Sequence, residues 1–201
     1  MTDWYWIRHG PTHEKSFVGW RDVPADLSDQ NLIDQVANFL PSNAVVVSSD
    51  LSRSVTTADA LANGRPRLAH EPNLREFNFG DWDGKLRADI WRADPEAVSA
   101  FWNNPMESSA PNGETVSQLQ TRVMEALHEH VKLAIAQKSE HLLLVTHGGV
   151  IRAILGAILH MDAKGMFNVN LPYASVACLK VASFDNESGQ PDYHLSLDFS
   201  S

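Results

Sequence analysis

The chain has 201 residues, of which 43% are hydrophobic and 20% charged, with a formal net charge of −9. This composition suits one large domain with a sizeable core. The acidic balance argues against nucleic-acid or anionic-membrane partners, which need a basic face, but it allows an anionic substrate held by a few local arginines. The single cysteine excludes an intrachain disulfide, and without a signal peptide or long apolar run we expect a cytoplasmic protein.

The first predicted element is a buried strand, Trp4–Ile7, which Arg8, His9 and Gly10 follow directly. The glycine lets the chain turn sharply, so the arginine and histidine stand at the carboxyl end of the strand, where open α/β sheets bind ligands. An imidazole can act as a nucleophile, and a guanidinium can hold a phosphate through paired hydrogen bonds. For this motif taken alone, a chance dipeptide with a partly exposed histidine is the alternative.

A helix is predicted over Leu27–Leu40, capped by Ser28 and ended by Pro41. The residues expected on its apolar side are Leu32, Val36, Phe39 and Leu40. The apolar run Ala44–Val47 then predicts a second buried strand.

The segment Ser48–Arg53 follows this second strand and supplies hydroxyls, a helix cap and an arginine at the same edge of the sheet. A second helix is predicted over Asp50–Ala62, closed by Asn63 and Gly64. Taken alone, Arg53 would be an ordinary surface residue on the first turn of this helix.

Residues 71–113 interrupt the alternation of strands and helices. They are rich in Pro, Asn, Gly, Trp and Asp, and they predict an irregular cap inserted over the sheet rather than a separate domain. The longest helical pattern, Thr115–Ala136, comes next. Its apolar stripe consists of Val116, Leu119, Val123, Leu127, Val131 and Ile135.

The predicted strand His141–Thr146 ends in His147, Gly148 and Gly149, which repeats the arrangement at the start of the chain. Two strands that end alike can bring both histidines to one edge of the sheet, and the glycines would place backbone N–H groups at a helix N-terminus, where anions bind. The alternative is a structural histidine beside a turn. With two histidines and a second arginine at this edge, Arg53 fits a phosphate ligand better than a surface residue.

The last predicted elements are a helix over Val150–Leu159 and two strands, Ser175–Ala182 and Tyr193–Leu197. Buried strands separated by helices indicate an α/β fold, a three-layer α/β/α sandwich with a mainly parallel central sheet.

Four motifs in this order resemble the histidine phosphatase superfamily, also called the phosphoglycerate mutase-like family. They are Arg8–Thr12, Ser48–Ala58, Leu74–Glu76 with Gly80–Gly84, and Thr146–Gly149. The resemblance covers nearly the whole chain and is weakest from about Asp162 onward. It implies a single domain over residues 1–201, with the cap insertion at about 71–113.

The resemblance implies that His9 is the nucleophile and forms a phosphohistidine, with Arg8, Arg53 and His147 around the phosphoryl group. Glu76 would protonate the leaving oxygen and later activate water, and no metal or cofactor is expected. Phosphoryl transfer depends mainly on positioning and charge neutralisation, which two guanidiniums and a histidine can supply. His9 must attack while neutral, so its other ring nitrogen needs a partner that fixes the tautomer.

Thr12, Lys15, Gly19 and Gly148 complete the predicted substrate site. Thr12 is a further phosphate donor, and Lys15 stands where mutases have an Asn that touches the phosphate, with a solvated side chain as its alternative. Gly19 belongs to Phe17–Trp20, which resembles the Phe-Thr-Gly-Trp of the mutases.

The segment Phe77–Gly84 lacks the Tyr-Gly-Gly-Leu-type stretch of mutases, and Asp81 and Asp83 would repel a second phosphate. This segment and Pro111–Thr115 look more like the phosphatase branch, which includes the α-ribazole phosphatases. We therefore expect hydrolysis of a small phosphomonoester, with α-ribazole 5′-phosphate as a candidate substrate. Mutase-type phosphoryl transfer is the alternative.

Two other classes of protein are considered. His9, His13 and His147 could hold a metal in a metallohydrolase, although no carboxylate-rich motif accompanies them. A non-catalytic phosphate-binding module could keep the fold, but such modules usually lose a catalytic residue, and all five are present here. A homodimer is left open.

Overall fold

The computed structural model describes residues 2–136, 139–185 and 191–197, arranged around one five-stranded sheet. The strands are β1 (Thr2–Arg8), β2 (Val45–Ser48), β3 (His141–Thr146), β4 (Val176–Asp185) and β5 (Pro191–Leu197). The helices are α1 (Gln30–Phe39), α2 (Ser52–Ala62), α3 (Arg87–Ala93), α4 (Pro95–Asn103), α5 (Val116–Ala136), α6 (Gly148–Ile158) and α7 (Ala163–Phe167). None of the helices in these ranges is long and apolar enough to cross a membrane.

The strand order of the sheet is β2-β3-β1-β4-β5. The strands β1, β2 and β3 run parallel to one another, while β4 pairs antiparallel with β1 and with β5. The predicted α/β fold is therefore confirmed, and the parallel strands are those that lead into the His-Gly and Ser-Arg segments of the sequence. The strands β4 and β5 extend the sheet on the side away from β2.

Each face of the sheet carries its own hydrophobic cluster, because successive side chains of a strand point to opposite faces. Trp4 and Trp6 of β1 lie in a cluster with α5 and α6, whereas Ile7 lies in a second cluster with α1 and α2. Leu144 and Leu143 of β3 divide in the same way. Burying a side chain of this size contributes about 1.5–3 kcal/mol, so both helix layers are anchored by the sheet.

The helix α1 begins one residue later than its predicted cap implies. Asp29, not Ser28, is the N-cap, because its carboxylate accepts a hydrogen bond from the Leu32 amide at 3.1 Å. Phe39 was expected on the apolar side but is 63% exposed, and Ile33 takes the buried place instead.

The helix α2 begins at Ser52 without a cap of its own, since Leu51 occupies the N-cap position. Asp50, expected within the helix, instead binds the Arg75 guanidinium, with Nε 2.8 Å from Oδ1. The Ser52 amide donates to the Asp22 carboxylate at 2.8 Å, so a residue 30 positions earlier caps the helix. The predicted end at Asn63 is confirmed by its left-handed φ of 41°.

Residues 71–113 are more regular than the sequence pattern suggests, because they contain α3, α4 and two 3-10 turns, at Pro72–Leu74 and Gly80–Trp82. Trp82 and Phe101 are buried with ring centroids 5.4 Å apart, which ties the segment together. Along α5, the first four positions of the predicted stripe are buried. The side chains of Val131 and Ile135 lie outside the described residues.

Candidate active site

The register of two parallel strands brings the two predicted histidines together. Arg8 of β1 lies opposite Thr146 of β3, and the His9 amide donates to the Thr146 carbonyl at 2.9 Å. The residues that follow this pair, His9 and His147, are therefore neighbours. Their ring centroids lie 5.0 Å apart. This is the edge of the sheet at which ligands bind in open α/β folds.

His9 is buried and held in one tautomer. Because a carbonyl can only accept, Nδ1 carries the proton and donates to the Gly10 oxygen at 2.7 Å, which leaves the lone pair on Nε2. Burial above all lowers the pKa of His9 from 6.5 to about 3, with help from the charges of Arg53 and Arg8 and against the hydrogen bond to Gly10. The ring is therefore neutral near pH 7, as a nucleophile requires.

His147 is fully buried and both of its ring nitrogens are engaged. Arg53 Nε donates to Nδ1 at 3.2 Å, so in the neutral ring Nε2 carries the proton, and it lies 3.2 Å from the Ser54 hydroxyl oxygen. Burial, reinforced by the charges of His9 and Arg53, lowers the pKa of His147 well below 6.5. His147 therefore offers an N–H donor rather than a positive charge.

Arg53 is fully buried, which rules out the surface position that the sequence left open. Its terminal nitrogens donate to the carbonyls of Gly19 at 2.6 Å and Arg21 at 3.0 Å. Burial lowers the pKa of the guanidinium, although arginine remains charged at neutral pH. With the bond to His147, three of the five N–H donors are used, and the other two remain for a ligand.

Arg8 completes the charge of the site. Its guanidinium carbon lies 3.8 Å above the centroid of the Tyr173 ring, and Nη1 donates to the Leu171 carbonyl. Among the described residues its buried Nε has no hydrogen-bond partner, and no carboxylate oxygen there lies within 4.0 Å of the guanidinium of Arg8 or Arg53. Two buried or half-buried guanidiniums without an ionic partner make this edge a site for an anion.

The side chain of Glu76 lies against the first turn of α6, the helix that follows His147 directly. Its Oε1 accepts hydrogen bonds from the amides of Phe77 at 2.8 Å and Gly149 at 2.9 Å. Oε2 makes no hydrogen bond within the described ranges, so it is the oxygen that is free to contact a ligand. A Cβ at position 149 would lie 2.2 Å from Oε1, so the glycine lets the carboxylate reach the helix terminus.

Two side chains hold the main chain of Glu76. Its carbonyl accepts from Trp20 Nε1 at 2.8 Å and from an Arg122 terminal nitrogen at 2.9 Å. Glu114 fixes Arg122 through two hydrogen bonds of 2.9 and 2.7 Å, and its Oε1 also accepts from the Asn78 amide at 2.7 Å. The segment Pro111–Thr115, singled out in the sequence, therefore positions the backbone around Glu76.

The remaining predicted substrate residues differ in their placement. Thr12 has its hydroxyl 3.4 Å from that of Tyr173, and Gly148 is buried with its Cβ position 3.5 Å from Arg8 Nε, so both border the cluster. The Gly19 amide donates to Asp83 at 3.0 Å while its carbonyl accepts from Arg53, so Gly19 orients the arginine. Lys15 is exposed and borders a surface groove whose other lining residues are Ser16, Phe17, Arg87 and Trp102.

Sequence reasoning missed four residues that the structure brings to the site. Ser54 and Arg122 were overlooked although each lies within or near a quoted motif. Tyr173 lies in the part of the chain, from about Asp162 onward, where the resemblance is weakest, so nothing in the sequence pointed to it. Arg152 of α6 donates from Nε to the Val169 carbonyl at 3.0 Å, and burial lowers the pKa of its guanidinium.

The residues of the metallohydrolase alternative are not arranged as a metal centre. His13 is exposed and its Nε2 lies 2.8 Å from the Asp26 carboxylate, whereas His9 is buried against Gly10. Within the described part of the chain, no group of three His, Cys, Asp or Glu side chains could hold a metal ion.

Comparison with known families and proteins gives matches over most of the chain. Residues 4–189 match the model of the histidine phosphatase superfamily (branch 1). The metal-independent phosphoserine phosphatase of Arabidopsis thaliana is 36% identical over 174 residues, which cover 82% of this chain and 72% of the relative. The adenosylcobalamin/alpha-ribazole phosphatase of Escherichia coli is 28% identical over 168 residues, 81% of each chain.

The fold is also similar to solved structures. YhfR of Bacillus stearothermophilus superposes with a TM-score of 0.79 at 26% identity, and the match covers 100% of this chain and 98% of that protein. The comparison thus extends the sequence match to the whole arrangement of strands and helices.

Proposed function

The chain belongs to the histidine phosphatase superfamily, as the resemblance of its four motifs predicted, and on this basis we propose that it hydrolyses a small phosphomonoester through a phosphohistidine. The relatives compared with it include named phosphatases. The roles assigned below to individual residues, and the choice of hydrolysis over transfer, are part of this proposal.

The observation that carries the proposal is the state of His9. Its Nδ1–H donates to the Gly10 carbonyl, which leaves the lone pair on Nε2, and its pKa of about 3 keeps the ring neutral. Its ring centroid lies 5.0 Å from that of His147, and the charges of Arg53 and Arg8 act on it. A neutral imidazole that faces an anion site without an ionic partner is equipped to attack phosphorus. A binding module needs the arginines but has no need of a nucleophile in this state.

In the first step the Nε2 lone pair of His9 forms a bond to phosphorus while the bond from phosphorus to the ester oxygen breaks. The leaving oxygen takes a proton from Oε2 of Glu76, so that an alcohol departs. Arg8 and Arg53 balance the charge on the phosphoryl oxygens, and the Nε2–H of His147 turns from Ser54 to one of them.

In the second step a water molecule attacks the phosphorus of the phosphohistidine. Glu76, now a carboxylate, accepts the water proton, and the bond from phosphorus to Nε2 breaks. Inorganic phosphate leaves, and both His9 and Glu76 return to their starting protonation states. Neither step as written requires a metal ion.

For the substrate, α-ribazole 5′-phosphate is the specific candidate. It is supported by the segments Phe77–Gly84 and Pro111–Thr115 and by the E. coli relative of that name. Of the two aspartates expected to repel a second phosphate, Asp83 accepts hydrogen bonds from Gly19 and Arg21, and Asp81 is exposed and bonded by Asn112. Of the two, Asp81 is therefore the aspartate whose carboxylate is exposed and could repel a second phosphate.

The test is a panel of phosphomonoesters, including α-ribazole 5′-phosphate and 3-phosphoglycerate, incubated with the purified protein in the presence of a chelator. Released phosphate and isomerised product are both measured. Phosphate release supports the hydrolase, and the preferred compound identifies its substrate. Isomerisation without release would establish the mutase alternative, and tight phosphate binding without either product would establish the binding module.

The covalent step is tested separately with radiolabelled substrate and rapid acid-free quenching. We expect label on the wild-type protein that is stable to base and lost in acid, as for a phosphoramidate. His9→Ala should show neither label nor turnover while its circular dichroism stays native, and appreciable residual turnover in this variant would refute the role of His9. His13→Ala, which removes an exposed histidine, is the matched control.

A further inference from the structure

A cavity of about 170 Å³ opens directly beside Glu76 and Gly149 and is not used by the phosphoryl chemistry described above. Its lining includes six aromatic side chains: Phe17, Phe77, Phe79, Phe101, Trp102 and Phe167. The only charged side chains among its described lining residues are Glu76 and Arg152. An apolar space of this kind, adjacent to a general acid, is suited to an apolar part of the substrate.

The position of the cavity identifies that part. Oε1 of Glu76 is bound to Gly149, and Oε2 is the oxygen placed to protonate the ester oxygen. Arg8, Arg53 and the two histidines, which would hold the phosphoryl group, are not among the described lining residues of the cavity, whereas Glu76 is. If Glu76 protonates the ester oxygen, the group attached to that oxygen lies beside Glu76 and can enter the cavity that Glu76 borders.

The walls of the cavity are already arranged to receive a planar ring. Phe17 and Phe79 have ring centroids 4.7 Å apart, and Trp102 and Phe167 meet edge-on at 5.4 Å. Phe101 is only 2% exposed and is fixed by its contact with Trp82. Rings that contact one another in this way lose little further freedom when a ligand binds, and a cavity of about 150 Å³ with apolar walls can hold benzene.

We propose that this cavity is the leaving-group pocket and that it selects phosphomonoesters whose alcohol carries an aromatic ring. This inference rests on the proposed hydrolysis and narrows its substrate class. Small polyhydroxylated or zwitterionic alcohols would lose hydrogen bonds to water in this pocket and find few partners in return.

The experiment compares benzyl phosphate with ethyl phosphate, because the two alcohols have similar acidity and differ mainly in the ring. For the wild-type protein we expect kcat/KM for benzyl phosphate to exceed that for ethyl phosphate by at least about tenfold. A ratio near one would overturn the proposal while leaving the hydrolase intact. If neither ester is hydrolysed, nor any of the wider panel, the hydrolase proposal itself fails.

The matched variants are Trp102→Ala, which removes one wall of the cavity, and Trp91→Ala, which removes an exposed tryptophan of α3 outside it. Both side chains are partly exposed, at 37% and 53%, so both variants should fold. We expect Trp102→Ala to lower the benzyl-to-ethyl ratio by about three- to tenfold and Trp91→Ala to preserve it. Phe167→Ala is a second test of the same wall, and equal ratios in all three variants would refute the assignment.

Discussion

At the residue scale, the protonation states follow from single hydrogen bonds. The Gly10 carbonyl makes Nε2 of His9 the free nitrogen, and the Arg53 guanidinium makes Nε2 of His147 the N–H donor. The two neighbouring rings therefore hold opposite tautomers, so that Nε2 carries a lone pair in His9 and a proton in His147. The Ser54 hydroxyl oxygen accepts a hydrogen bond from His147.

The role of Glu76 can be tested by its dependence on the leaving group. In Glu76→Gln the amide oxygen can still accept from Phe77 and Gly149, but the side chain cannot give up a proton. We expect kcat/KM for ethyl phosphate to fall by about 10²–10⁴-fold and that for p-nitrophenyl phosphate, which needs little protonation, to fall far less. Steady-state kinetics with both esters measure this.

Glu107→Gln is the control for this substitution, since Glu107 is exposed and bonded to Asn104 away from the site. This variant should keep the wild-type kcat/KM for both esters. If Glu76→Gln slowed the two esters equally, proton donation by Glu76 would be excluded.

At the element scale, the ends of helices and the close approach of loops determine where the site residues lie. The helix α1 is capped by Asp29, and the turn at Gly80 packs against residues 111–113, which lead into Glu114. Neither feature touches the site, but the second connects the Glu76 segment to the start of α5. Both features can be tested by measuring the stability of variants against unfolding.

Asp29→Ala removes the acceptor of the Leu32 amide, so we expect the free energy of unfolding to fall by about 1 kcal/mol. Ser28→Ala changes the neighbouring residue, whose side chain does not cap the helix, and should have a clearly smaller effect. Urea denaturation of both variants shows whether Asp29 or Ser28 caps the helix. A larger loss for Ser28→Ala would mean that the helix is capped as the sequence alone suggests.

Gly80→Ala should be strongly destabilising. A Cβ there would lie 2.1 Å from the Pro111 carbonyl oxygen, and the backbone has a φ of +49° that an alanine rarely adopts. Gly64→Ala is the control, because its φ of +81° carries similar backbone strain while its Cβ would meet nothing within 4 Å.

We expect Gly80→Ala to lose more stability than Gly64→Ala by at least about 1–3 kcal/mol, the cost of overpacking. Thermal unfolding followed by circular dichroism measures the difference. Equal melting temperatures would show that the contact with residues 111–113 relaxes freely.

At the scale of the whole molecule, the site introduces a dependence of stability on pH. His9 and His147 have lowered pKa values in the folded protein, so the unfolded chain binds more protons below its own histidine pKa. Their contribution to stability is therefore complete above about pH 6.5 and is lost as the pH falls below it, in the case of His9 down to its folded pKa of about 3. The loss is gradual, because over this interval these histidines are protonated in the unfolded chain and remain neutral in the folded protein.

We accordingly expect the free energy of unfolding to decrease as the pH falls from 6.5 to 4.5, and His9→Gln to flatten this dependence. His13→Gln, at an exposed position, should keep the wild-type slope. Urea titrations at several pH values measure the free energy of unfolding of each variant and hence its slope against pH. The same slope in wild type and His9→Gln would show that His9 is not held neutral by the fold.

The sequence by itself determined the order of the five strands and of the helices α1, α2, α5 and α6, the α/β class and the family, because periodic apolar runs and the His-Gly and Ser-Arg motifs are local properties of the chain. It did not indicate the helices α3, α4 and α7. It did indicate His9, His147, Arg8, Arg53 and Glu76. Only the tertiary structure decided their chemical states.

The reason is that these states depend on partners far away in the chain. The tautomer of His147 depends on Arg53, 94 positions earlier. The N-terminus of α2 is capped by Asp22, and the main chain of Glu76 is fixed by a hydrogen bond from Arg122. The aromatic cavity likewise combines rings from positions 17 to 167, which no local pattern links. Side chains brought together by packing leave no periodic signal, so their contacts become visible only in the folded molecule.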